Sequence, residues 1–337
     1  MLHTGGTFAM VLDPQQQAAR QDKNTLEELH SQIPELSRLA DIELELVSNI
    51  DSSDVDSHLW SQLATIIHDS WEKFDGVVII HGTDTMAYTA TALSFFLAGL
   101  TKPVVLTGSQ RPLSELRNDA RANIIDAIEL ATMGYPEVMV CFDSVVYRGS
   151  SVTKRSSENL HAFASQHMPP LGHFGVHFSV SQNLIKAPIA AARRHRPSVD
   201  TRVCENVFVL DVVPSAPLSP ELKNVLLKNY RGILVRGFGV GNLPLKNPCW
   251  LNLAEAASQK QIPLVIGSQC QTGSIDLQSY ENGRAFARHG AISGHNMSLE
   301  CMILKLMVML GRGIAFENRH EFFATPLASE FHEVSVR

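Results

Sequence analysis

The chain has 337 residues, of which 45% are hydrophobic and 18% charged, and its formal net charge is −6. This length suggests about two domains with cores of their own, and the acidic balance argues against nucleic acid or a membrane surface as partner. Five widely spaced cysteines without a CxxC pair support neither a disulfide framework nor a thiolate zinc site. No leader-like or bilayer-spanning apolar segment is found, so a cytoplasmic location is expected.

In the N-terminal half, short apolar runs alternate with helical patterns, which predicts a larger α/β domain. Strands are predicted at residues 42–47, 76–80, 104–107 and 138–142, and amphipathic helices at about 54–70, 85–97 and 116–132. The run GVVII at 76–80 is apolar throughout, as expected for a strand covered on both faces. The alternation predicts a mostly parallel, flavodoxin-like sheet. Only Met1–His3 precedes the first loop motif, so the first strand is expected to be almost absent.

A second set of elements begins near Val207 and predicts a smaller, Rossmann-like C-terminal domain. Its strands are predicted at 207–213, 232–236 and 263–266, and its helices at 220–229, 251–259 and 298–310. Residues 182–202 are rich in Ala, Arg, Pro and Ser with weak periodicity, which is typical of a linker. The predicted organisation is an N-terminal α/β domain at 1–181, a linker at 182–206 and a C-terminal α/β domain at 207–337.

Polar motifs follow four consecutive predicted strands, at the points where the strands end. They are TGGT at 4–7, DSSD at 51–54, HGTDT at 81–85 and GSQ at 108–110. Ligands of open parallel sheets bind beyond the carboxyl ends of the strands. The convergence of these motifs therefore predicts one small-molecule site more strongly than any single motif does.

The TGGT motif allows two interpretations. Paired glycines let the backbone turn sharply and approach a ligand closely, and the Thr7 hydroxyl at such a turn is a nucleophile if a neighbouring group lowers its proton affinity. The alternative is a turn threonine that hydrogen-bonds its own backbone. For this motif alone, the turn is the simpler interpretation.

The HGTDT motif offers two hydroxyls and a carboxylate, and the N-terminus of the next helix faces it. Free backbone N–H groups there could hold an anion or a developing oxyanion. The alternative is that Thr83 or Asp84 caps the helix that starts near Thr85.

The DSSD motif and Lys154 also have structural alternatives. Ser52 could bind a carboxylate, but Ser53 or Asp54 could equally cap the following helix. Lys154, in the polar segment SVTKRSS, is either a solvated side chain or a proton acceptor for a hydroxyl if its surroundings shift its pKa.

Other catalytic patterns are missing from the sequence. There is no GxSxG elbow, no GxxxxGK[ST] phosphate loop, no GxGxxG spacing and no HExxH pair. His173 and His177 are four residues apart, but they flank a segment without helical character. A metal site is therefore disfavoured, and no cofactor is expected.

Taken in order, TGGT, DSSD, HGTDTMAYTA, LTGSQRP and VTK make the chain resemble the bacterial L-asparaginases, in particular the cytoplasmic type I branch. The resemblance runs nearly end to end, through QCQTGS and SLECMILKL. It implies hydrolysis of the side-chain amide of L-asparagine to aspartate and ammonia without metal or cofactor. It also implies a homodimer or a homotetramer.

The resemblance carries catalytic roles onto four residues. Thr7 would be the nucleophile and Thr83 the second catalytic threonine. Lys154 would relay a proton from Thr83. Asp84 would bind the substrate α-ammonium group and orient the lysine.

The resemblance also suggests substrate contacts. Ser52 would bind the α-carboxylate with Ser53 beside it, and the backbone around Gly108 and Ser109 would contact the amide group. Asn242, in the GFGVGN loop, would be contributed by the C-terminal domain of a neighbouring subunit.

The chain departs from the family pattern at one catalytic position. A tyrosine in the flap after the first threonine helps to activate that threonine in the family, but residues Phe8–Asn24 contain none. The family also includes enzymes with an effector site for asparagine, and Thr153, Arg236 and Cys270 resemble it, although Cys270 alone suits a buried thiol.

Two other functions stay open at this stage. One is the D subunit of archaeal glutamyl-tRNA(Gln) amidotransferase, which has a similar domain but an additional N-terminal one. The other is a catalytically weakened amino-acid-binding protein, which the missing flap tyrosine would suit.

Overall fold

The structure is a computed structural model that describes residues 1–9, 29, 31–165, 167–190 and 195–331. It divides into two units, Met1–Asp200 and Thr201–Arg337. The predicted linker, residues 182–206, spans this division.

Three described α-helices and twelve described strands build the first unit. The helices are α1 (Ser57–Asp69), α2 (Met86–Phe96) and α3 (Ala120–Thr132). The strands are β1 (Leu2–Gly5), β2 (Glu45–Ile50), β3 (Val77–Ile80), β4 (Leu97–Ala98), β5 (Val104–Thr107), β6 (Val138–Phe142), β7 (Val145–Arg148), β8 (Val152–Lys154), β9 (Phe163–Ser165), β10 (Gly172–Phe174), β11 (Phe178–Val180) and β12 (Ser198–Val199).

Eight of these strands form one sheet in the order β11-β10-β7-β6-β5-β3-β1-β2. Five neighbouring strands of this order, β6-β5-β3-β1-β2, run parallel to one another. Beyond β6, the strands β7, β10 and β11 continue the sheet, and each pairs with its neighbour in antiparallel fashion. The parallel part has the strand order of a flavodoxin-like sheet, in which the direction of winding changes between the first and third strands. The predicted fold class is confirmed, and the winding change lies between β1 and β3.

The first strand is more complete than the sequence suggested. Thr4 and Gly5, assigned to the loop motif, belong to β1, and all four residues of the strand are buried. Leu2 pairs with Glu45 on one side and Ile79 on the other, and the Thr4 hydroxyl donates to the carbonyl of Ile80 at 3.1 Å. Because both neighbouring strands hold it, four residues suffice for a central strand.

Apolar residues buried on both faces of the sheet explain why the predicted strands form. Val105 and Leu106 of β5, for example, are fully buried.

α1 begins after Asp56, whose carboxylate accepts from the backbone N–H groups of His58 and Leu59. Such side-chain capping satisfies donors that have no partner in the first helical turn.

The second unit contains a smaller, fully parallel sheet, as predicted. Its strands are β13 (Val207–Asp211), β14 (Gly232–Gly237), β15 (Leu264–Ser268) and β16 (Ile292–Ser293), in that order. Its described helices are α4 (Pro220–Asn229), α5 (Pro248–Gln259), α6 (Glu281–Arg288), α7 (Leu299–Gly311) and α8 (Arg319–Ala324).

A buried ion pair joins α7 to the segment that follows α8. Lys305 Nζ lies 2.7 Å from Glu330 Oε1, and both side chains are 0% exposed. The same ammonium donates to the carbonyls of Phe323 and Thr325 at 3.1 and 2.8 Å. The carboxylate of Glu330 also accepts from the backbone N–H groups of Leu327 and Ala328. The charges are therefore fully compensated inside the unit.

Membrane spans and metal clusters are both missing from the described ranges. No helix there is long and apolar enough to cross a membrane. No group of three or more His, Cys, Asp or Glu side chains in the same ranges is arranged to hold a metal ion.

Candidate active site

The four predicted loops meet at the carboxyl ends of β1, β2, β3 and β5, through glycines. A Cβ added to Gly6, whose φ is +85°, would lie 2.5 Å from the Cα of Gly82. One added to Gly82 would lie 2.6 Å from the Cβ of Ser52, and one added to Gly108 would lie 2.2 Å from the carbonyl oxygen of His81. These distances are shorter than van der Waals contact, so only glycine allows the loops to pack this closely.

Lys154 connects the HGTDT loop to β8. Its Nζ donates to the hydroxyl of Thr83 at 2.7 Å and to the carboxylate of Asp84 at 2.7 Å. The lysine side chain is 15% exposed, and that of Asp84 is 64% exposed. The alternative of a freely solvated lysine is therefore wrong.

The capping alternative for the same loop is also wrong. Thr85 occupies the N-cap position of α2, and this cap has no side-chain hydrogen bond. The Thr85 hydroxyl donates instead to the carbonyl of Ser52 at 2.7 Å. Thr83 and Asp84 thus serve the lysine rather than the helix, and Thr85 joins the HGTDT loop to the DSSD loop.

Thr7 begins a single 3-10 turn directly after the two glycines of the first motif. Its side chain is half-buried. Gly6 packs against Gly82. Thr7 directly follows the first of these glycines, and Thr83 directly follows the second. The expectation about the missing flap tyrosine concerns residues 8–24, of which 10–24 lie outside the described residues.

The DSSD loop is held by its first carboxylate. Asp51 accepts from both the backbone N–H and the hydroxyl of Ser53 at 2.8 Å, and these hydrogen bonds lower the pKa of Asp51. Since α1 is capped by Asp56, the alternative that Ser53 or Asp54 caps this helix is wrong. Ser52 is buried against Gly82.

The buried side chain of His81 holds Gly82 of the HGTDT loop in place. His81 Nδ1 lies 2.7 Å from the carbonyl oxygen of Gly82, and Nε2 lies 2.9 Å from the hydroxyl of Thr89. The indole N–H of Trp60 donates to the same hydroxyl at 3.0 Å. Burial lowers the pKa of His81 to about 4. The ring is therefore neutral at pH 7, with its proton on Nδ1, because a carbonyl only accepts.

The GSQ loop is fixed by an internal network. Asp119 accepts from the backbone N–H groups of Gln110 and Arg111 at 2.9 and 3.0 Å, and Asn123 Nδ2 donates to the carbonyl of Gly108 at 2.9 Å. The Ser109 hydroxyl is buried, and no residue in the described ranges hydrogen-bonds with it. A buried hydroxyl without a partner is costly.

Sequence reasoning missed several residues of this site. Trp60, Thr89, His81 and Gln110 were not assigned roles, although His81 directly follows a buried strand within a recognised motif. The Gln110 amide oxygen accepts from the Thr83 hydroxyl at 3.1 Å. Nothing in the local pattern predicts this contact, since the two residues are far apart in sequence.

The remaining predicted residues lie elsewhere. Thr153 precedes Lys154 in β8, and Asn242 lies in a tight loop after β14, where its backbone bonds with that of Phe238. Arg236 lies near the end of β14, with Nε 2.6 Å from Asp211 Oδ1 and a second bond to Oδ2. Cys270 follows β15 and is exposed, so the predicted alternative of a buried thiol is wrong.

Comparisons with known proteins cover both units. The family model "Asparaginase, N-terminal" matches residues 1–186, and "Glutaminase/Asparaginase C-terminal domain" matches residues 206–323. L-asparaginase 1 of Escherichia coli K12 is 35% identical over 283 residues, which are 83% of this chain and 82% of that protein. The D subunit of glutamyl-tRNA(Gln) amidotransferase from Pyrococcus abyssi is 32% identical, over 98% of this chain and 76% of that protein.

Solved structures give the same result. The thermostable L-asparaginase of Thermococcus kodakarensis has a TM-score of 0.87 at 30% identity, covering 99% of this chain and 98% of that one. L-asparaginase I of Vibrio cholerae has a TM-score of 0.84 at 32% identity, covering 98% of both chains. The order of the strand-end motifs, the family models and these structures agree: the chain belongs to the L-asparaginase family, in its type I branch.

Proposed function

We propose that the protein hydrolyses the side-chain amide of L-asparagine to L-aspartate and ammonia, with Thr7 as the nucleophile. The observation that carries the proposal is the position of Lys154 Nζ, 2.7 Å from both the Thr83 hydroxyl and the Asp84 carboxylate. A lysine shared between a hydroxyl and a carboxylate can act as a proton relay. The glycine contact between the two loops supports a place for Thr7 beside this relay.

The substrate is a zwitterion and needs partners of both signs. The carboxylate of Asp84 suits the α-ammonium group, since it is largely exposed beside Lys154. Ser52 and Ser53 supply hydroxyl and backbone donors for the α-carboxylate. The backbone of Gly108 and Ser109 contacts the amide, and the Ser109 hydroxyl, which has no partner among the described residues, offers a further polar contact.

The reaction is a double displacement. The Thr7 hydroxyl oxygen attacks the amide carbon, its proton passes to the leaving nitrogen, the carbon–nitrogen bond breaks and ammonia departs. Water then attacks the resulting ester and restores the Thr7 hydroxyl while aspartate is released. Lys154 and Thr83 move the proton in both halves, and backbone N–H groups of the loops stabilise the oxyanion.

Assembly, location and regulation belong to the same proposal. We expect a cytoplasmic homodimer or homotetramer, in which Asn242 of a neighbouring subunit completes the site. An effector site at Thr153, Arg236 and Cys270 would have to compete with Asp211 for the Arg236 guanidinium, because that pair is bidentate. A hyperbolic dependence of rate on asparagine concentration, with no second binding event, would remove the effector site.

The runner-up functions are less well supported. An amidotransferase component is suggested by the relatives that carry that name. A weakened binding protein is suggested by the flap sequence, but the contacts among Lys154, Thr83 and Asp84 argue for catalysis.

Ammonia release separates these functions. We expect wild type to release ammonia from L-asparagine, with Thr7→Ala and Thr83→Ala each slower by at least about 10³-fold. Thr65→Ala, at an exposed position on α1, is the matched control and should keep the wild-type rate. A wild type that binds aspartate but releases no ammonia would contradict the proposal, and a fully active Thr7→Ala would remove Thr7 as the nucleophile.

A further inference from the structure

Gln110 has no part in the mechanism above, yet its side chain reaches the centre of the site. Its Oε1 lies 3.1 Å from the Thr83 hydroxyl oxygen. Its Nε2 lies 3.4 Å from the carbonyl oxygen of Ser156 and 3.2 Å from that of Asn159. The side chain therefore bridges a catalytic threonine and the loop that follows Lys154.

The chemistry of the partners fixes the direction of the amide. Two carbonyl oxygens accept hydrogen bonds and never donate them, so the NH₂ end of Gln110 must face Ser156 and Asn159. The oxygen end then faces Thr83, and an amide oxygen only accepts. The Thr83 hydroxyl must therefore be the donor of its hydrogen bond with Gln110.

This assignment orients Thr83 toward Lys154. With its O–H directed at Gln110 Oε1, the Thr83 oxygen presents a lone pair to the Lys154 ammonium at 2.7 Å. Without Gln110, the hydroxyl could rotate and donate its hydrogen bond elsewhere, and Lys154 would keep Asp84 as its one fixed acceptor. A hydroxyl rotor held in one orientation avoids reorganisation during proton transfer.

The same glutamine is itself held firmly. Its backbone N–H donates to Asp119 Oδ2 at 2.9 Å, and Asp119 also accepts from the side chain of Asn123 at 3.2 Å. The loop on the other side is closed by its own hydrogen bond, since the Ser156 hydroxyl accepts from the backbone N–H of Asn159 at 2.9 Å. Gln110 thus joins two well-held segments, one following β5 and the other following β8.

We propose that Gln110 is a positioning residue, which sets the rotor of Thr83 and fixes the loop after Lys154 relative to it. The inference rests on the proposed asparaginase activity. Gln110 touches neither the reacting atoms nor the substrate in this assignment, and it acts through Thr83 and Lys154.

Three variants test this role through kinetics. Gln110→Met keeps the length and removes all three side-chain hydrogen bonds, and we expect kcat to fall about 10- to 100-fold while KM changes less than about threefold. Gln110→Glu keeps the acceptor but not the donor, so its kcat should lie between those of wild type and Gln110→Met. Gln62→Met, exposed on α1, is the matched control and should match wild type.

A double-mutant comparison shows whether Gln110 acts through Thr83. In a Thr83→Ala background, Gln110→Met should cause no further loss of kcat, because the group that it orients is gone. An equal loss in both backgrounds, or an unchanged kcat in Gln110→Met, would overturn the proposal. A wild type without ammonia release would contradict the proposed function instead.

Hydrogen exchange decides the inference independently of turnover. Amides of residues 155–161 should exchange at least about tenfold faster in Gln110→Met than in wild type, because the loop loses two hydrogen bonds, while amides of β5 should be unchanged. Unchanged exchange at 155–161 would overturn the positioning role even in an inactive protein.

Discussion

Each unit contains one lysine–carboxylate pair at 2.7 Å among its described residues. The two pairs differ in their exposure to solvent and in the other groups that the lysine contacts. Lys154 of the first unit shares its ammonium between Asp84 and a hydroxyl, and the carboxylate is 64% exposed. Lys305 of the second unit, with its partner Glu330, is 0% exposed, and it donates to two backbone carbonyls as well.

The difference separates the lysine that we propose to be reactive from a structural one. The three donors of Lys305 are occupied by the buried Glu330 carboxylate and two backbone carbonyls, and aromatic rings surround it, with that of Phe331 centred 4.8 Å away. Lys154 points at a hydroxyl whose proton can move, beside a carboxylate open to solvent. A short ion pair therefore indicates catalysis only when one partner can exchange protons with a substrate.

The largest expected effect tests the reactive pair. Lys154→Met should lower kcat for asparagine by about 10³- to 10⁴-fold, because the proton relay is removed. The thermal midpoint should change little, since water can solvate the exposed Asp84. Steady-state ammonia release and calorimetry measure both quantities.

The exposed Lys73 on the first unit provides the control. Lys73→Met should keep wild-type kcat. Retention of activity in Lys154→Met would erase the distinction between the two lysines.

The second effect tests the structural pair. Lys305→Met should lower the free energy of unfolding by about 3–5 kcal/mol, because Glu330 stays buried without its partner. Folded Lys305→Met should keep kcat. Urea unfolding measures the stability, and Lys305→Met/Glu330→Gln should recover part of it; a fully stable single variant would contradict the structural role.

A smaller effect concerns His81, which is as deeply buried as Lys305 but is neutral. Its pKa in the folded state is about 4, below the ordinary histidine value of 6.5. The unfolded chain therefore binds more protons between these values, so stability falls as the pH drops from 6.5 to 4. His81 contributes roughly 3 kcal/mol to this fall. His3, also buried with a pKa of about 4, adds a similar dependence.

Urea unfolding at several pH values checks this prediction. His81→Gln should flatten the decline between pH 6.5 and 4 relative to wild type, since glutamine does not titrate. His58→Gln, at an exposed position on α1, is the control and should leave the slope unchanged. An identical slope in His81→Gln would contradict the lowered pKa of His81 in the folded state.

Much of the fold could be predicted because buried parallel strands are apolar throughout. The run at 104–107 predicted β5 with its observed bounds, whereas β2 lies three residues beyond its prediction. Pairing with β1 sets that register, and a single strand does not reveal it. The antiparallel strands β7, β10 and β11 were not predicted, since three or four residues at a sheet edge carry little pattern.

The sequence indicated residues of the candidate site but not the contacts among them. Motif order and the family resemblance indicated Thr7, Thr83, Asp84 and Lys154. The contact of Thr83 with Gln110 joins residues 27 apart, and that with Lys154 joins residues 71 apart. Side-chain contacts over such separations depend on how the strands are ordered in the sheet, which local periodicity does not encode.

The glycine contact between the loops has a practical meaning for directed evolution. Backbone lies against backbone at Gly6 and Gly82, and a Cβ at Gly108 would strike the carbonyl of His81. Libraries that randomise these positions would consist mostly of misfolded clones. Variation aimed at the choice between asparagine and longer amides belongs instead at exposed side chains of these loops, such as that of Ser53.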